Sequence, residues 1–468
     1  MATRPLFQQI PWCILALGLL LRLGLFAFAA AGSGTERFFT PDSFGYHALA
    51  KTLLSCGEFS GIPHGMPELF RCPGYPAFIA LGLAAIRMDI YGVILIQILL
   101  DVALCFLTFR LGIMLISRKT GVAASAIQAI FPCAVAASVR LLSETLFSFL
   151  FALALILILD RKKASVSIKT FSAGLLLGLA CLVRPLALPL IILLPFFPAF
   201  RCRARWRCGA FIALGAALVL IPWMARNQIK TGYGQLSGVG DYNLLHYNAM
   251  ALAQIRKDIE LTPTWQKLVE TAETSLKKSA PDPRNDPQYL RFCRQEGLNV
   301  IGSHPFAYAF AHLKTTLGVF LPPATEFLEV LGITTGNKGT LAVLQREGVR
   351  AAIQRYFGRQ TWPLFLSVPI ILLTLLIYCA SLAGLLSLSR LAIRKKRLRL
   401  ADWGFLVLIA LFFILLPGPV AHARFLVPIT PILSLLGAAG AAATAGRLDA
   451  RCTTHPSLIL PLARGGSI

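Results

Sequence analysis

Charged side chains are scarce in this sequence: 14% of its 468 residues are Asp, Glu, Lys or Arg, and Asp and Glu together number 21. An ordinary soluble domain is about one quarter charged, so this composition excludes one. Hydrophobic residues instead make up 56% of the chain, and the mean hydropathy is +0.69. Apolar runs of about 20 residues, long enough to cross a bilayer as helices, recur along the sequence. We therefore predict an all-α integral membrane protein, a bundle of about ten transmembrane helices.

Cysteine spacings that bind metal are also missing. The 11 cysteines include no CxxC pair and no His/Cys pattern suited to zinc. Most lie in apolar runs or hinges, where a thiol serves as a small buried apolar group. Cys56 and Cys72 share the first outer loop and could form a disulfide in an oxidising compartment.

Acidic residues are too few to balance the basic ones, and the formal net charge is +24. Nucleic-acid binding would require a basic soluble surface, whereas these Lys and Arg residues cluster in short hinges between apolar runs. The hinges contain Arg110, Arg118 and Lys119; Arg161, Lys162, Lys163 and Lys169; Arg201, Arg203, Arg205 and Arg207; and Arg390, Arg394, Lys395, Lys396, Arg397 and Arg399. The positive-inside rule makes these hinges cytoplasmic, so we expect no nucleic-acid partner and two cytoplasmic termini.

Alternation of the apolar runs around these hinges predicts four regions. They are an N-terminal transmembrane module at 1–225 with a catalytic outer loop at 32–90, an outer region with membrane-associated helices at 226–360, C-terminal transmembrane helices at 361–445, and a cytoplasmic tail at 446–468. The run from Trp12 to Ala31 is longer than the core of a signal peptide, so it is predicted to be a retained first span.

Several apolar segments have a less simple relation to the bilayer. Pro73 to Ile86 would extend only about 21 Å as a helix, so we expect it along or partly in the outer leaflet, as a juxtamembrane helix. Residues 171–200 are predicted to form a hairpin with Arg184-Pro185 at its apex, near the outer boundary. Phe306 to Leu321 is expected to lie against the membrane, and Gly121 to Ser138 to cross it once.

Polar residues gather at the outer boundary of this topology. The acidic ones are Asp42, Glu68 and Glu144, and the basic ones are Arg71, Arg140, Arg184, Arg226, His422 and Arg424. Asp42 and Glu144 lie near helix starts, where a carboxylate can simply cap the helix. An interfacial arginine can likewise snorkel or anchor a span. Arg184 fits an anionic partner better, because Pro185 holds it at the tip of a short hairpin.

Carboxylates and guanidinium groups around a membrane-edge cavity suit a reaction on a lipid-linked phosphate. A carboxylate can act as general base towards an acceptor hydroxyl, while arginine stabilises the charge that develops on the departing phosphate. Because that leaving group is a weak base, the reaction requires no dedicated general acid.

Six short motifs, in order, resemble those of bacterial GT-C glycosyltransferases, the membrane enzymes related to protein O-mannosyltransferases and the aminoarabinose transferase of lipid A. The motifs are PDSFGYHALA (41–50), RCPGYPAF (71–78), RLLSETLF (140–147), GLACLVRP (178–185), PWMARNQ (222–228) and HARFLVPITP (422–431). The resemblance extends over almost the whole chain. It implies a polyprenyl-phosphate sugar donor, inversion at the anomeric carbon, a lipid, glycan or protein acceptor, and a site on the periplasmic face of a bacterial inner membrane.

The resemblance also implies roles for individual residues. Asp42 matches the first-loop aspartate and is expected to be the general base, and Glu144 to assist the acceptor or a metal ion. Arg71 matches a basic residue near the donor phosphate, and Tyr75 is expected to line the lipid groove. The further expected substrate-binding residues are His47, Arg184, Arg226, His422 and Arg424.

Two features depart from the family pattern. Some relatives have adjacent acidic residues in the first loop, whereas Ser43 follows Asp42 here, which weakens the case for a divalent metal ion. Larger relatives carry a soluble C-terminal domain, whereas a short tail follows the last span here. Acceptor recognition is therefore expected mainly from Arg226 to Arg359.

Two other functions fit the same membrane-edge cavity. A transporter or flippase of lipid-linked sugars would usually show internal repeats and polar residues along a central path, and neither is evident. An O-antigen polymerase or ligase would use a pyrophosphate-linked donor and rely on Arg and His in a late loop.

Overall fold

The computed structural model describes most of the chain. The described residues are 12–32, 34–85, 89–160, 166–194, 205–255, 282–333, 362–395 and 400–444, with a few single positions between 343 and 355. The predicted cytoplasmic tail at 446–468 lies outside them.

Helices account for nearly all of the described regular structure, and its only β-type contact is an isolated bridge between Ser60 and Pro67. The first helices are α1 (Trp12–Ala30), α2 (Pro41–Cys56), α3 (Gly74–Ala85), α4 (Ile90–Leu115), α5 (Arg118–Ile130), α6 (Pro132–Ser138), α7 (Glu144–Leu159), α8 (Val166–Val183) and α9 (Leu188–Leu193). They are followed by α10 (Arg205–Thr231), α11 (Val239–Asn243), a π-helical stretch (Leu244–Ala249), α12 (Met250–Ile255), α13 (Pro287–Ser303), α14 (Pro305–Thr316), α15 (Ala324–Val330), α16 (Pro363–Lys395), α17 (Leu400–Leu415) and α18 (Thr430–Thr444).

Five described segments are long and apolar enough to cross a membrane, and they are Trp12–Ala30, Ile90–Leu115, Trp206–Thr231, Pro363–Arg390 and Ala423–Ala442. The bent pair α5 and α6 makes a sixth if it is one span. Four shorter apolar helices accompany them: Gly74–Ala84, Glu144–Leu159, Ile168–Val183 and Asp402–Leu415. The chain is thus a multi-pass membrane protein, as its composition predicts.

The segment from Gly121 to Ser138 departs from the single straight crossing that we expect from its sequence. It breaks between α5 and α6 with a bend of 54°. The cause is local: Pro132 offers no backbone N–H, and Phe131 before it adopts an extended ψ of 112°. The bend directs the chain after Ser138 into a turn that carries Arg140 and Ser143 to the start of α7.

The last span lies at the centre of the bundle. In its apolar window 83% of residues are buried, against 17% for α1 at the periphery. It approaches α16 closely because Gly384 and Gly440 lack side chains: a Cβ on either would collide with the backbone of the facing helix. Gly174 and Gly215 permit the same close approach between α8 and α10.

A fully buried ion pair ties the first span to this bundle. Arg22 Nε donates to Asp101 Oδ2 at 2.6 Å, and its Nη1 donates to the carbonyls of Gly18 and Ala129, each at 2.8 Å. Both charged side chains are completely buried. A charge inside a bilayer needs such a partner, so this pair joins α1 to α4 and α5.

The first outer loop contains the two predicted juxtamembrane helices, α2 and α3. Helix α3 packs against the bundle, since a Cβ on Gly74 would meet the backbone of Leu182 at the end of α8. Cys56 and Cys72, which could have formed a disulfide, are both free thiols. Cys56 is exposed, whereas Cys72 is buried with its thiol towards the carbonyl of Leu236.

A candidate active site at the helix starts

Asp42 is placed at the start of α2 by a local capping arrangement. Thr40 precedes the helix in an extended conformation, and its backbone N–H donates to Ser43 Oγ at 2.9 Å. The Ser43 hydroxyl in turn donates to the carbonyl of Leu141 at 2.8 Å, which fastens α2 to the turn before α7. Asp42 is therefore not the cap of its helix, and its side chain, 37% exposed, is directed to a partner elsewhere.

Glu144 is the first residue of α7 and is almost completely buried, with a side chain only 1% exposed. Arg184 forms an ion pair with it, and Arg184 Nη1 donates to Ser143 Oγ at 3.4 Å. Arg184 has an extended backbone, φ −146° and ψ 124°, because Pro185 follows it. The apex of the hairpin thus lies against the start of α7.

Arg424 joins the two carboxylates. It belongs to a short 3-10 turn, Ala423–Ile429, that leads into the central span. Its Nη1 donates to Asp42 Oδ2 at 2.7 Å, and its Nε lies 3.7 Å from Glu144 Oε1. One guanidinium therefore bridges residues that are far apart in the chain and begin two different helices.

Arg71 completes the group from the first outer loop. Its guanidinium lies 5.5 Å from the ring centres of both Tyr46 and Phe70, within cation–π range. Gly45 provides the space, since a Cβ there would collide with the guanidinium. The nearest carboxylate in the described structure is Glu68 at 3.9 Å, beyond hydrogen-bond length, so Arg71 keeps N–H donors for a ligand.

The electrostatics of this group keep Asp42 ionised. Burial raises its pKa, but the charge and hydrogen bond of Arg424, together with the charges of Arg71 and Arg184, outweigh burial and lower it. Tyr46 shows the opposite effect: burial and the nearby Asp42 carboxylate raise the pKa of its phenol. At neutral pH the site therefore contains a carboxylate base and a neutral phenol.

Glu68 does not join the acidic pair but organises the outer loop. Its Oε1 accepts the backbone N–H of Arg71 at 2.8 Å, and its Oε2 accepts from Asn285 Nδ2 at 3.0 Å. Asn285 Oδ1 accepts the backbone N–H groups of Leu69 and Phe70 at 2.9 and 3.2 Å. Burial raises the pKa of Glu68 despite the charge of Arg71.

Three of the expected substrate-binding residues have other contacts. Arg226 donates to the carbonyls of Glu68 and Phe59 at 3.3 and 3.2 Å, so it braces the outer loop and not the acidic pair. Tyr75 is fully buried and therefore cannot line a groove open to lipid. His47 packs edge-on against Phe39 with 5.5 Å between ring centres, and burial and Lys51 lower its pKa.

His422 and Arg140 each contact a glutamate beside the group. His422 Nδ1 lies 3.3 Å from Glu326 Oε1, and Arg140 Nη2 donates to Glu329 Oε2 at 2.6 Å. Both glutamates belong to α15, a helix in the outer region. The pair of Arg140 with Glu329 removes the need for snorkelling.

The described residues do not present a ligand set for a divalent cation. No group of three or more His, Cys, Asp or Glu side chains within them could hold a metal ion. Asp42 and Glu144 both face Arg424, and Arg184 also pairs with Glu144, so two guanidinium groups accompany the two carboxylates.

Some residues of the group were not singled out from the sequence. Tyr46 lies one helical turn after Asp42 on the same face of α2, a spacing that would have indicated it. Ser143 precedes Glu144 and touches both Arg184 and Tyr46, at 3.4 and 3.5 Å. Gln97 lies inside an apolar span, and a polar residue in a membrane helix often indicates a functional position.

No family model matches the chain, and no curated protein does. Solved structures do align with it. AglB from Archaeoglobus fulgidus, an archaeal oligosaccharyltransferase in complex with an inhibitory peptide and a dolichol-phosphate, aligns over 91% of this chain and 50% of its own, with 13% identity and a TM-score of 0.47. ArnT from Cupriavidus metallidurans bound to undecaprenyl phosphate aligns over 92% of this chain and 78% of its own, with 13% identity and a TM-score of 0.41.

The chain spans about half the length of the archaeal enzyme.

Proposed function

We propose that this chain is an inverting glycosyltransferase of the GT-C type that transfers a sugar from a polyprenyl phosphate to a hydroxyl acceptor. One observation carries the proposal: Arg424 bridges Asp42, at 2.7 Å, and Glu144, at 3.7 Å, and Arg184 also pairs with Glu144. The group thus combines an accessible carboxylate with guanidinium groups at one edge of the helix bundle.

Asp42 is the general base of the proposed reaction. Arg424 engages its Oδ2, so within the described contacts Oδ1 remains for an acceptor hydroxyl. The acceptor oxygen forms a bond to the anomeric carbon and gives its proton to Asp42, while the bond from that carbon to the phosphate oxygen breaks. The polyprenyl phosphate leaves with the electron pair, and attack from the opposite side inverts the configuration. The acceptor proton becomes acidic as its oxygen bonds to carbon, so a carboxylate of low pKa suffices.

The arginines supply the binding site for the donor phosphate. Arg71, Arg184 and Arg424 carry three positive charges, whereas Asp42 and Glu144 carry two negative ones when ionised. The excess favours an anion, and the charge that develops on the departing phosphate is stabilised by the same groups. Arg71 is the best placed of them to bind directly. Its guanidinium lies near two aromatic rings, and the Glu68 carboxylate, at 3.9 Å, is beyond hydrogen-bond length.

Glu144 has a positioning role in this proposal. The sequence suggested that it might assist the acceptor, but its side chain is only 1% exposed, which leaves little room for contact with a substrate hydroxyl. Its buried charge instead fixes Arg184 and Arg424 side by side. Removal of one partner of such a buried pair costs about 3–5 kcal/mol, so the arrangement is well defined.

We propose that the site lies on the periplasmic face of a bacterial inner membrane. The basic hinges support its placement on the outer side, and the resemblance of the motifs to bacterial GT-C enzymes supports the choice of membrane. The outer region between Arg226 and Arg359 then lies beside the site and is proposed to select the acceptor, a lipid, a glycan or a protein. Its α15 contributes the glutamates that pair with Arg140 and His422.

Asp42→Asn tests the proposal. Without a general base, transfer by the purified protein in lipid nanodiscs should fall about 10²–10⁴-fold, while its yield and thermal stability stay near those of the native protein. Asp286→Asn is the matched control, because Asp286 caps α13 and asparagine caps equally well. Full transfer by Asp42→Asn would remove Asp42 from the role of base.

The same preparation separates the other functions. A polymerase or ligase would be inhibited by diphosphate-linked sugars and not by monophosphate-linked ones, the reverse of the result expected here. A flippase would move the donor between leaflets without forming a glycosidic bond.

A further inference from the structure

Gln97 is a fully buried polar residue in the first third of α4, a span of 26 residues. Its side-chain nitrogen reaches three backbone carbonyls, those of Ala137 at 3.2 Å, Ser138 at 3.1 Å and Arg140 at 2.6 Å. These carbonyls lie at the end of α6 and in the turn that follows it. Those of Ala137 and Arg140 also accept the backbone N–H groups of Arg140 and Leu142, at 3.3 and 2.7 Å, so Gln97 supplies an additional donor. Its contacts tie the end of α6 and the turn to α4.

Tyr75 orients the Gln97 amide. Its hydroxyl donates to Gln97 Oε1 at 2.8 Å, which turns the NH2 group of that amide towards the carbonyls. The Tyr75 ring meets Tyr46 edge-on with 5.0 Å between centres, and Tyr46 Oη lies 3.5 Å from Ser143 Oγ. The turn is thus held at Arg140 by Gln97 and at Ser143 by Tyr46.

The same turn sets the geometry of the candidate active site. Leu141 N–H donates to the carbonyl of Phe38 at 2.9 Å, and Leu141 O accepts from Ser43, so the turn also fixes the start of α2. Asp42 lies next to Ser43, and Glu144 follows Ser143. A shift of this turn would therefore change the separation of the two carboxylates that Arg424 bridges.

We propose that Gln97, oriented by Tyr75, is a positioning residue that fixes the turn at 139–143 from inside the membrane and thereby sets Asp42 and Glu144 around Arg424. The inference rests on the proposed function for its effect on catalysis. Its effect on the turn is independent of that function.

Gln128 provides a matched control. It is also a fully buried glutamine inside the bundle, where it donates to Thr430 Oγ1 at 3.1 Å and accepts from Ser434 Oγ at 3.2 Å. Its partners lie on the last span, away from the turn. Gln97→Met and Gln128→Met both remove a buried amide at nearly constant volume. The loss of stability should be larger in Gln97→Met, because that amide makes four hydrogen bonds and the Gln128 amide makes two. Tyr75→Phe is a milder third variant, which keeps the ring and loses only the bond that orients the amide.

Two measurements on these variants in nanodiscs test the proposal. Hydrogen exchange of the amides at 139–144 should accelerate in Gln97→Met and Tyr75→Phe and stay native in Gln128→Met. For transfer, kcat should fall at least about tenfold in the first two variants, because the general base and the arginines fixed by Glu144 lose their relative positions. The donor KM should change less than kcat, because a Glu68 contact holds Arg71 separately.

Native exchange at 139–144 in Gln97→Met would overturn the proposal, and so would equal losses of kcat in Gln97→Met and Gln128→Met. If the native protein transferred no sugar at all, the proposed function would fail, and the exchange result alone would decide the positioning role.

Discussion

Arg424 is the residue on which the candidate site depends most, because its guanidinium contacts both carboxylates. Sequence reasoning left its role open between phosphate binding and membrane anchoring, since an interfacial arginine suits either. Its side chain is 25% exposed and directed inwards, to Asp42 and Glu144, and it also lies 5.6 Å from the ring of Phe425. The contacts favour a role within the site, where Arg424 also lowers the pKa of Asp42.

Replacement of Arg424 by glutamine should shift the acid limb of the pH–rate profile to higher pH. Asp42 acts as a base only when it is ionised, and its pKa in the folded protein lies below the ordinary value. The kcat/KM of the native protein should therefore be lost only as pH falls through this lowered pKa. In Arg424→Gln the positive charge that opposes the effect of burial is lost, so the pKa of Asp42 should rise. The kcat/KM measured between about pH 4 and 8 should therefore decline at higher pH than in the native protein. Arg294→Gln, which breaks an outer pair with Asp241, should leave the profile unchanged, and an unmoved limb in Arg424→Gln would contradict the assignment.

Gly45→Ala should weaken donor binding without unfolding the protein. The new Cβ would overlap the Arg71 guanidinium, which is the mobile end of a long side chain and can move aside. A charged hydrogen bond to phosphate is worth about 1.5–3 kcal/mol, so its partial loss should raise the donor KM about tenfold. Gly24→Ala in α1 is the control, since nothing lies within 4 Å of its new Cβ. Equal KM values for the two variants would show that Arg71 does not bind the donor.

At the scale of elements, the candidate site is assembled from chain segments at which helices begin. Asp42 and Glu144 are the second and first residues of α2 and α7, and Arg184 and Arg424 flank or begin short 3-10 turns. Helix starts carry partial positive charge, which favours the two carboxylates there. Proline adjoins two of these residues, as Pro41 before Asp42 and Pro185 after Arg184, and fixes the direction of the chain there.

This arrangement explains what the sequence could predict. Apolar runs give the spans directly, and alternation of sides places Asp42 and Arg424 at the same boundary. It does not identify them as partners, because they are 382 positions apart and their pairing depends on helix packing. The contacts of Tyr75 and Arg226 could not be predicted for the same reason: an aromatic or basic residue at a boundary can face lipid, substrate or protein. The bend at Phe131-Pro132 was a local signal that the apolar run concealed.

Helix α14 is predicted to lie on the membrane surface, as the apolar sequence from Phe306 to Leu321 indicates. Phe306, Phe310, Leu313 and Leu317 share one face and are 90%, 64%, 56% and 67% exposed. A contact of His312 fixes the position of α14 relative to the bundle: His312 Nε2 lies 2.7 Å from the carbonyl oxygen of Leu415, where α17 ends. A photo-crosslinking phenylalanine analogue at position 306 should therefore label phospholipid in nanodiscs. The same analogue at the exposed Gln295 of α13 should not, and absence of lipid adducts at position 306 would place α14 in water.

At the scale of the whole molecule, the outer region and the first outer loop form one unit around Arg71. The segment 68–72 is held by Asn285 from the start of the 282–303 segment, and by Ser237 and Gly238 near α11, whose contacts with Phe70 O and Leu69 O are 2.8 and 2.7 Å long. Asn285 lies 217 positions after Glu68. A region proposed to select the acceptor is thus joined through a few hydrogen bonds to the arginine proposed to bind the donor.

Asn285→Ala should therefore weaken binding of the donor, although Asn285 belongs to the outer region. It removes the donor to Glu68 and the acceptor of two backbone N–H groups, each bond worth about 1 kcal/mol net. With Glu68 and the loop released, Arg71 loses its fixed position, and the donor KM should rise about fivefold to tenfold with kcat nearly native. The control is Asn248→Ala, an outer asparagine that binds Tyr308 and the carbonyl of Asn243.

The pH dependence of stability provides a second, independent test of Asn285→Ala. The folded pKa of Glu68 is raised, so the folded state binds more protons than the unfolded state between its ordinary pKa and the raised value, and stability falls as pH rises through that window. The Asn285 hydrogen bond lowers the pKa of Glu68, so its loss should raise that pKa further and widen the pH window. The total fall in melting temperature across the window should then be larger. If Asn285→Ala and Asn248→Ala give the same donor KM and the same pH dependence, the two regions act separately and the outer region does not hold Arg71.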